Sequence, residues 1–280
     1  MEEFIILAAL NPIAFNLGAI QVHWYGIFIA SAVMIAVFLS VKEGQKRGIL
    51  ADNIYDMILW ALPVAIISAR IYYVIFQWSY YSQHLDEIIK IWDGGIAIYG
   101  ALIGSGLVVF MYCRNKFIPV WLMLDIISPT VIMGQGIGRW GNFMNQEAFG
   151  KVTSLTFLQH LHLPPFIINQ MFIQGFYRQP TFLYESLWDL LGFVLLINLR
   201  HIDKFFKRGE VALSYVIWYS FGRFFVEGMR TDSLVAFGDI RVSQILSIFL
   251  FLGAIIIIIY RRKKYSDLPF YLDGRAIKNK

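Results

Sequence analysis

Seven apolar stretches of 16 to 24 residues constrain this chain more than any other feature. As helices, such stretches approach or span the roughly 30 Å hydrocarbon core of a bilayer. They run Gly18–Val41, Tyr55–Phe76, Gly95–Tyr112, Val120–Ile137, Thr181–Leu199, Val211–Val226 and Val242–Tyr260. Composition agrees, since only 15% of the 280 residues are charged and 58% are apolar, against roughly 25% charged in soluble domains. A disordered chain, a disulfide scaffold and a soluble globule are disfavoured. Cys113 is the single cysteine, and no Cys/His cluster at metal-ligand spacing is present, so no metal is expected. The expected fold is all-α, a polytopic integral membrane protein of about seven transmembrane helices forming one domain over residues 1–280.

The net charge of +5 reads as topology rather than as nucleic-acid binding. Of 24 Lys and Arg, 16 fall on one side: Lys42, Lys46 and Arg47, then Arg114 and Lys116, then Arg200, Lys204, Lys207 and Arg208, then seven in the tail 261–280. Positive-inside logic places that side in the cytoplasm with the carboxyl terminus, and the amino terminus outside. Glu2 and Glu3 stand where a signal peptide would be positive, so no cleavage is expected. The one long connection, about 139–180, lies on the outer side. Its aromatics, Pro164 and Pro165 suit a small head region at the membrane interface. No internal repeat or low-complexity tract is visible.

Ionisable residues at membrane depth are informative, because each costs about 2.5 to 3.5 kcal/mol to insert. They occur at Arg70, at Asp125, in Gly138–Gly150, at Glu185 and Asp189, and at Arg223 with Glu227. Tyr219, Arg223 and Glu227 are spaced by four and stack on one helix face, with Arg230 near the next turn. This stripe is either a self-neutralising ion pair or an anion site, since a guanidinium fork suits phosphate. In G-R-W-G-N-F-M-N-Q-E-A-F-G, the glycines Gly138, Gly141 and Gly150 should interrupt the helix as span four leaves the membrane. Arg139, Asn142, Asn145 and Glu147 would then line a polar head-group pocket. The plainer alternative is a hydrogen-bonded turn closing the helix.

That stretch resembles the signature of the prolipoprotein diacylglyceryl transferase family. The resemblance extends in order through V-H-W-Y-G (Val22–Gly26), D-G-G-I-A-I-Y-G (Asp93–Gly100), P-T-F-L-Y-E (Pro180–Glu185) and R-F-F-V-E-G-M-R-T-D (Arg223–Asp232). It implies an enzyme of the bacterial cytoplasmic membrane that moves the diacylglyceryl group of phosphatidylglycerol onto a cysteine thiol. That thiol belongs to the lipobox of a prolipoprotein signal peptide, and glycerol phosphate leaves. The resemblance implies no cofactor and no nucleic-acid partner. By the same resemblance Arg139 binds phospholipid, and Arg223 is the second cation. Asn142, Asn145, Glu147 and Gly150 contribute to the head-group site, with Glu147 also orienting Arg139. Glu227 holds Arg223, Arg230 extends the stripe, and Tyr25 and Tyr219 donate hydrogen bonds.

The resemblance departs at Tyr99, where many members carry histidine, and at Gln179, where a histidine before Pro180 is common. A phenol, with an ordinary pKa near about 10, is a poor general base. Tyr99 therefore either hydrogen-bonds or acts beside an arginine, and His23 is the substitute imidazole. Other features have plain readings. Gly100 with Gly104, and Gly134 with Gly138, have the spacing of close helix packing. Arg70 and Asp125 are candidates for a buried pair. Trp24, Trp78, Trp92, Trp121, Trp140 and Trp188 form an interfacial belt. A transporter or channel, or a lipid-binding assembly factor, would use similar arginines. The concentration of polar groups at the outer end favours a one-sided enzyme.

Overall fold

The structure is a computed structural model that describes residues 9–18, 20–231, 235–237 and 240–273. Asp232, Glu2, Glu3 and the tail beyond Asp273 lie outside the described residues. A hairpin of β1 (Ile13–Leu17) and β2 (Ile20–His23) leads into α1 (Trp24–Lys46) and α2 (Ala51–Phe76). The short α3 (Trp78–Tyr81) and two 3₁₀ turns precede α4 (Ile98–Asn115) and α5 (Val120–Asn145). After α5 come α6 (Leu155–His160), α7 (Pro165–Gln170) and the hairpin β3 (Phe172–Ile173) with β4 (Phe176–Tyr177). The chain continues through α8 (Thr181–Leu199), α9 (Glu210–Met229), the pair β5 (Val235–Phe237) and β6 (Ile240–Arg241), and α10 (Val242–Lys264).

The seven expected apolar stretches each fall on a long helix, with two corrections of extent. The first helix starts at Trp24 rather than Gly18, because Phe15, Asn16 and Leu17 pair with Val22, Gln21 and Ile20. The fourth, on α5, does not break at Gly138; it stays helical to Asn145. Five helices, α1, α2, α5, α8 and α10, are long and apolar enough to cross a membrane. Their outer faces are consistent with lipid contact: Leu59, Ile67 and Ile75 on α2 are more than half exposed, as are Phe249 and Ile256 on α10. A soluble chain would not leave such apolar surface uncovered.

Two compact units are distinguished, one of residues up to Ala36 with Ile127–Leu272, the other of Val37–Ile126. In the second unit, α2 and α4 pack through Gly100 and Gly104. A methyl on Gly100 would meet the Tyr72 Cβ at 2.6 Å and the Ala69 Cα at 2.8 Å, so the expected packing role of these glycines holds. Arg70, in contrast, does not pair with Asp125. Its guanidinium donates to the carbonyls of Glu87 (2.6 Å), Gly94 (2.7 Å), Gly95 and Ile88 (both 2.8 Å). Gly94 and Gly95 adopt φ of +88° and +73°, which lets both carbonyls turn toward the arginine. Four acceptors in one loop use the planar fork more fully than one carboxylate would, so Arg70 clamps the loop before α4 onto α2.

In the first unit the segment after α5 folds over a small core. Phe143, Leu158, Ile167, Ile168, Met171, Ile173 and Phe182 are buried together. Local chemistry dictates each piece. Ser154 caps α6 by accepting from the Phe157 amide at 3.1 Å. Pro165 opens α7 where its missing N–H is harmless. Gln174 and Gly175, at φ +53° and +82°, make the tight hairpin turn between β3 and β4. The end of α5 is capped from α7, since Gln170 Nε2 donates to the carbonyls of Phe143 (3.0 Å) and Met144 (3.2 Å). Trp140 packs against this core, its ring edge-on against Phe143 and Phe182. At the opposite end α9 and α10 are clasped by Arg262, whose Nε and Nη2 reach both oxygens of Glu210 at 2.6 and 2.7 Å.

Candidate active site

Because α5 remains a helix, Arg139 and Asn142 share a face one turn apart, and Arg139 Nη1 donates to Asn142 Oδ1 at 3.4 Å. The glycines that looked like helix breakers serve close approach instead. The ring of Tyr25, in the first turn of α1, lies where a side chain on Gly141 would be, with Cε2 2.8 Å and Cγ 2.9 Å from that position. The segments V-H-W-Y-G and G-R-W-G-N, remote in sequence, are thus in contact. Irregular backbone begins only at Gln146 and Ala148, with φ of +54° and +55°.

A second helix comes to α5 through Ser186, whose hydroxyl donates to the Gly136 carbonyl at 2.8 Å and accepts from Trp140 Nε1 at 3.2 Å. This fixes α8 beside the Arg139 turn. A third helix, α9, is locked to α8 by two tryptophans. The Trp188 and Trp218 indoles stack at 4.2 Å, and each Nε1 donates to the other's carbonyl at 3.0 Å. Gly192 faces the Trp218 indole and Gly222 that of Trp188, and neither glycine has room for a methyl group. Trp188 is therefore a clasp between helices.

The two joints bring α5, α8 and α9 together at Glu185. Its Oε1 lies 2.8 Å from Arg139 Nη2 and 3.2 Å from Arg223 Nη1, and Arg223 Nη2 lies 2.6 Å from Glu227 Oε2. The carboxylates are 4% exposed and the guanidinia 16% and 19%. Glu227 thus holds Arg223 as expected, while Arg139 is oriented by Glu185 and not by Glu147. Glu185 was visible in the sequence as a carboxylate at membrane depth, yet its role needed the crossing of three helices.

The remaining expected residues divide. Glu147 is exposed and accepts from Asn145 Nδ2 at 3.3 Å. Gly150 is a packing position, where a Cβ would lie 2.8 Å from that of Gln179 and 3.0 Å from Thr181 Cγ2. Gly150 also forms a backbone bridge with Arg230, which ends α9. Tyr219 lies one turn before Arg223, stacked on Tyr215 at 6.1 Å. His23 is exposed at the end of β2. Tyr99, in the other unit, is 38% exposed in the first turn of α4, beside the Tyr72 ring.

Two guanidinia converging on one buried carboxylate can hold a tetrahedral oxyanion, since each offers a donor fork and water is largely excluded. No group of three or more metal-binding side chains occurs among the described residues. Residues 12–260 match the family described as prolipoprotein diacylglyceryl transferase. The chain belongs to that family. Relatives named phosphatidylglycerol–prolipoprotein diacylglyceryl transferase include those of Pediococcus pentosaceus, 70% identical over 98% of this chain and 99% of the relative, and Lactiplantibacillus plantarum, 68% identical over 98% and 97%. That of Ligilactobacillus salivarius is 64% identical over 95% of this chain and 99% of its own. As a prolipoprotein diacylglyceryl transferase family member with multiple apolar helices, the chain is a multi-pass bacterial membrane protein.

The clasp predicts how activity depends on helix spacing. Gly222→Ala forces the Trp188 indole away and moves Glu185 relative to Arg223, which is expected to lower transferase activity by about 100-fold. Gly253→Ala, on α10 where a methyl meets open space, is expected to leave it unchanged. Initial rates of lipid transfer to a peptide cysteine measure both; equal rates for the two variants would refute the clasp's role.

Proposed function

We propose that this enzyme transfers the sn-1,2-diacylglyceryl group of phosphatidylglycerol to the thiol of the lipobox cysteine in prolipoprotein signal peptides, with Arg139 and Arg223 as the phosphate cradle. The reaction is the first step of bacterial lipoprotein maturation. The observation that carries the assignment is the convergence of both arginines on Glu185. A phosphate offers the same two guanidinia the acceptors that this carboxylate now supplies.

As the thiol sulfur bonds to the glyceryl carbon, the carbon–oxygen bond to phosphate breaks and negative charge grows on the departing glycerol phosphate. Preorganised guanidinia stabilise that charge without having to reorient. Tyr25 and Tyr219 donate to phosphate or glyceryl oxygens, and Asn142, Asn145 and Glu147 bind the head-group hydroxyls. Gly150 and Arg230 close that end of the site. Glu227 keeps Arg223 in place. Tyr99 acts by hydrogen bonding, and His23 is the imidazole that stands in for the family's histidine. The chemistry calls for no cofactor and no nucleic acid.

The helices α4 and α9 complete seven spans. The polar stripe Tyr219–Arg223–Glu227 lowers the hydropathy of α9, which is a consequence of its serving the site. The amino terminus lies outside, the basic carboxyl-terminal tail in the cytoplasm, and the segment between α5 and α8 forms the extracytoplasmic head over the site. Both lipid-borne substrates enter sideways from the bilayer. The test mixes purified protein with acyl-labelled phosphatidylglycerol and a lipobox peptide and follows mass gain on the peptide cysteine. A diacylglyceryl adduct made by the wild type and lost in Arg139→Ala is expected. An adduct formed equally well by the variant would overturn the cradle.

A further inference from the structure

The arginine cluster leaves one carboxyl over. Asp189 lies on α8 one turn beyond Glu185, is fully buried at 0% exposure, and has no hydrogen-bond partner on either oxygen among the described residues. Structural carboxylates elsewhere in the first unit look different: Glu185 and Glu227 meet arginines, and Glu210 is held by Arg262 and the Lys207 amide. The groups facing Asp189 are Glu185 on its own helix, Arg139 from α5, and Arg223, Tyr215 and Tyr219 from α9. Both arginines are already balanced by two glutamates, so a third carboxylate would have no countercharge of its own. An ionisable group buried at membrane depth with no hydrogen-bond partner is costly, which points to a role in the chemistry.

We propose that Asp189 is the proton carrier of the transfer. As a carboxylic acid it gives its proton to the glycerol phosphate as the carbon–oxygen bond breaks, and the resulting carboxylate takes the proton of the attacking thiol. The balance closes. One S–H and one C–O bond break, one S–C and one O–H bond form, and the phosphodiester monoanion leaves as a phosphomonoester monoanion. The net charge of the buried site is therefore the same before and after, which a low-dielectric environment favours. Asp189 lies one helical turn, about 5.4 Å, further along α8 than Glu185, which marks the anion place. This assignment rests on the phosphate cradle proposed above, and it gives this chain an acid–base group although Tyr99 replaces the histidine common in its family.

The test uses the full chain in vesicles containing phosphatidylglycerol, with a lipobox peptide as acceptor, and compares wild type with Asp189→Asn, which keeps shape and removes the transferable proton. Phosphatidylglycerol affinity is expected to stay within about threefold, while kcat falls about 100-fold or more. The pH profile is also expected to change form. The wild-type rate is level and then falls as rising pH removes the Asp189 proton, whereas the Asn variant rises throughout, following ionisation of the peptide thiol. An Asn variant turning over within about threefold of wild type, or one whose loss is matched by lost lipid affinity, overturns the proposal. If the Asn variant does not fold, Asp189→Glu decides: a displaced fall of the rate at high pH supports the carrier and an unchanged fall overturns it. Failure of the cradle would be seen separately, as unaltered lipid binding and transfer in Arg139→Ala.

Discussion

Arg139→Ala is expected to lower kcat for diacylglyceryl transfer by about 1000-fold, the upper end of the loss when one donor is taken from a developing oxyanion. The loss should fall mainly on kcat, because the leaving phosphate gains charge only as the carbon–oxygen bond breaks and Arg139 meets that charge in the transition state. Arg139→Lys separates charge from geometry. Lysine restores the cation but not the fork with which Arg139 reaches Glu185 through Nη2 and Asn142 through Nη1. It is expected to recover no more than about a tenth of wild-type turnover. Arg223→Lys should resemble it, since Arg223 also uses two nitrogens, Nη1 on Glu185 and Nη2 on Glu227. Single-turnover transfer from labelled phosphatidylglycerol, with lipid affinity measured alongside, reads these effects. If Arg139→Lys were fully active, only a point charge would be required and the fork argument would fail.

The sequence made the helices legible because their apolar stretches are long and their polar interruptions few. It misled where glycine was read as a breaker. Gly138 and Gly141 stay inside α5, since a helix in a bundle gives up propensity to let the Tyr25 ring and Ile29 approach its backbone. The same reading hid the position of Arg139, which is a helical side chain rather than part of a turn. Arg223 with Glu227 was accessible from spacing alone, because four residues on one helix fix their separation. Glu185 was not, as its partners lie on two other helices and the contact depends on Ser186 and on the Trp188–Trp218 clasp. Arg70 shows a related limit. A charge in an apolar span suggests a charged partner, yet backbone carbonyls freed by Gly94 and Gly95 serve it better, and side-chain patterns do not reveal backbone acceptors.

Glu185→Gln should separate the two roles this carboxylate plays. The amide keeps the shape but removes the charge that Arg139 and Arg223 share, leaving Glu227, on Arg223, as the paired carboxylate. Removing one member of a buried ionic cluster costs about 3–5 kcal/mol, so the variant is expected to unfold markedly earlier than wild type in a neutral detergent. Phosphatidylglycerol changes that outcome if its phosphate takes the place of the lost carboxylate. The lipid then binds the folded variant as a missing counterion, and stability should climb with lipid concentration by about 1.4 kcal/mol for each tenfold rise above the dissociation constant. A zwitterionic phospholipid brings its own cation to the same phosphate and should recover less. Wild type, whose arginines are already satisfied, should gain less from either lipid. Thermal unfolding across a phosphatidylglycerol titration, with phosphatidylcholine in parallel, measures all of this. A Gln variant as stable as wild type without lipid, and no more stabilised by phosphatidylglycerol, would mean that Glu185 does not mark the phosphate's place.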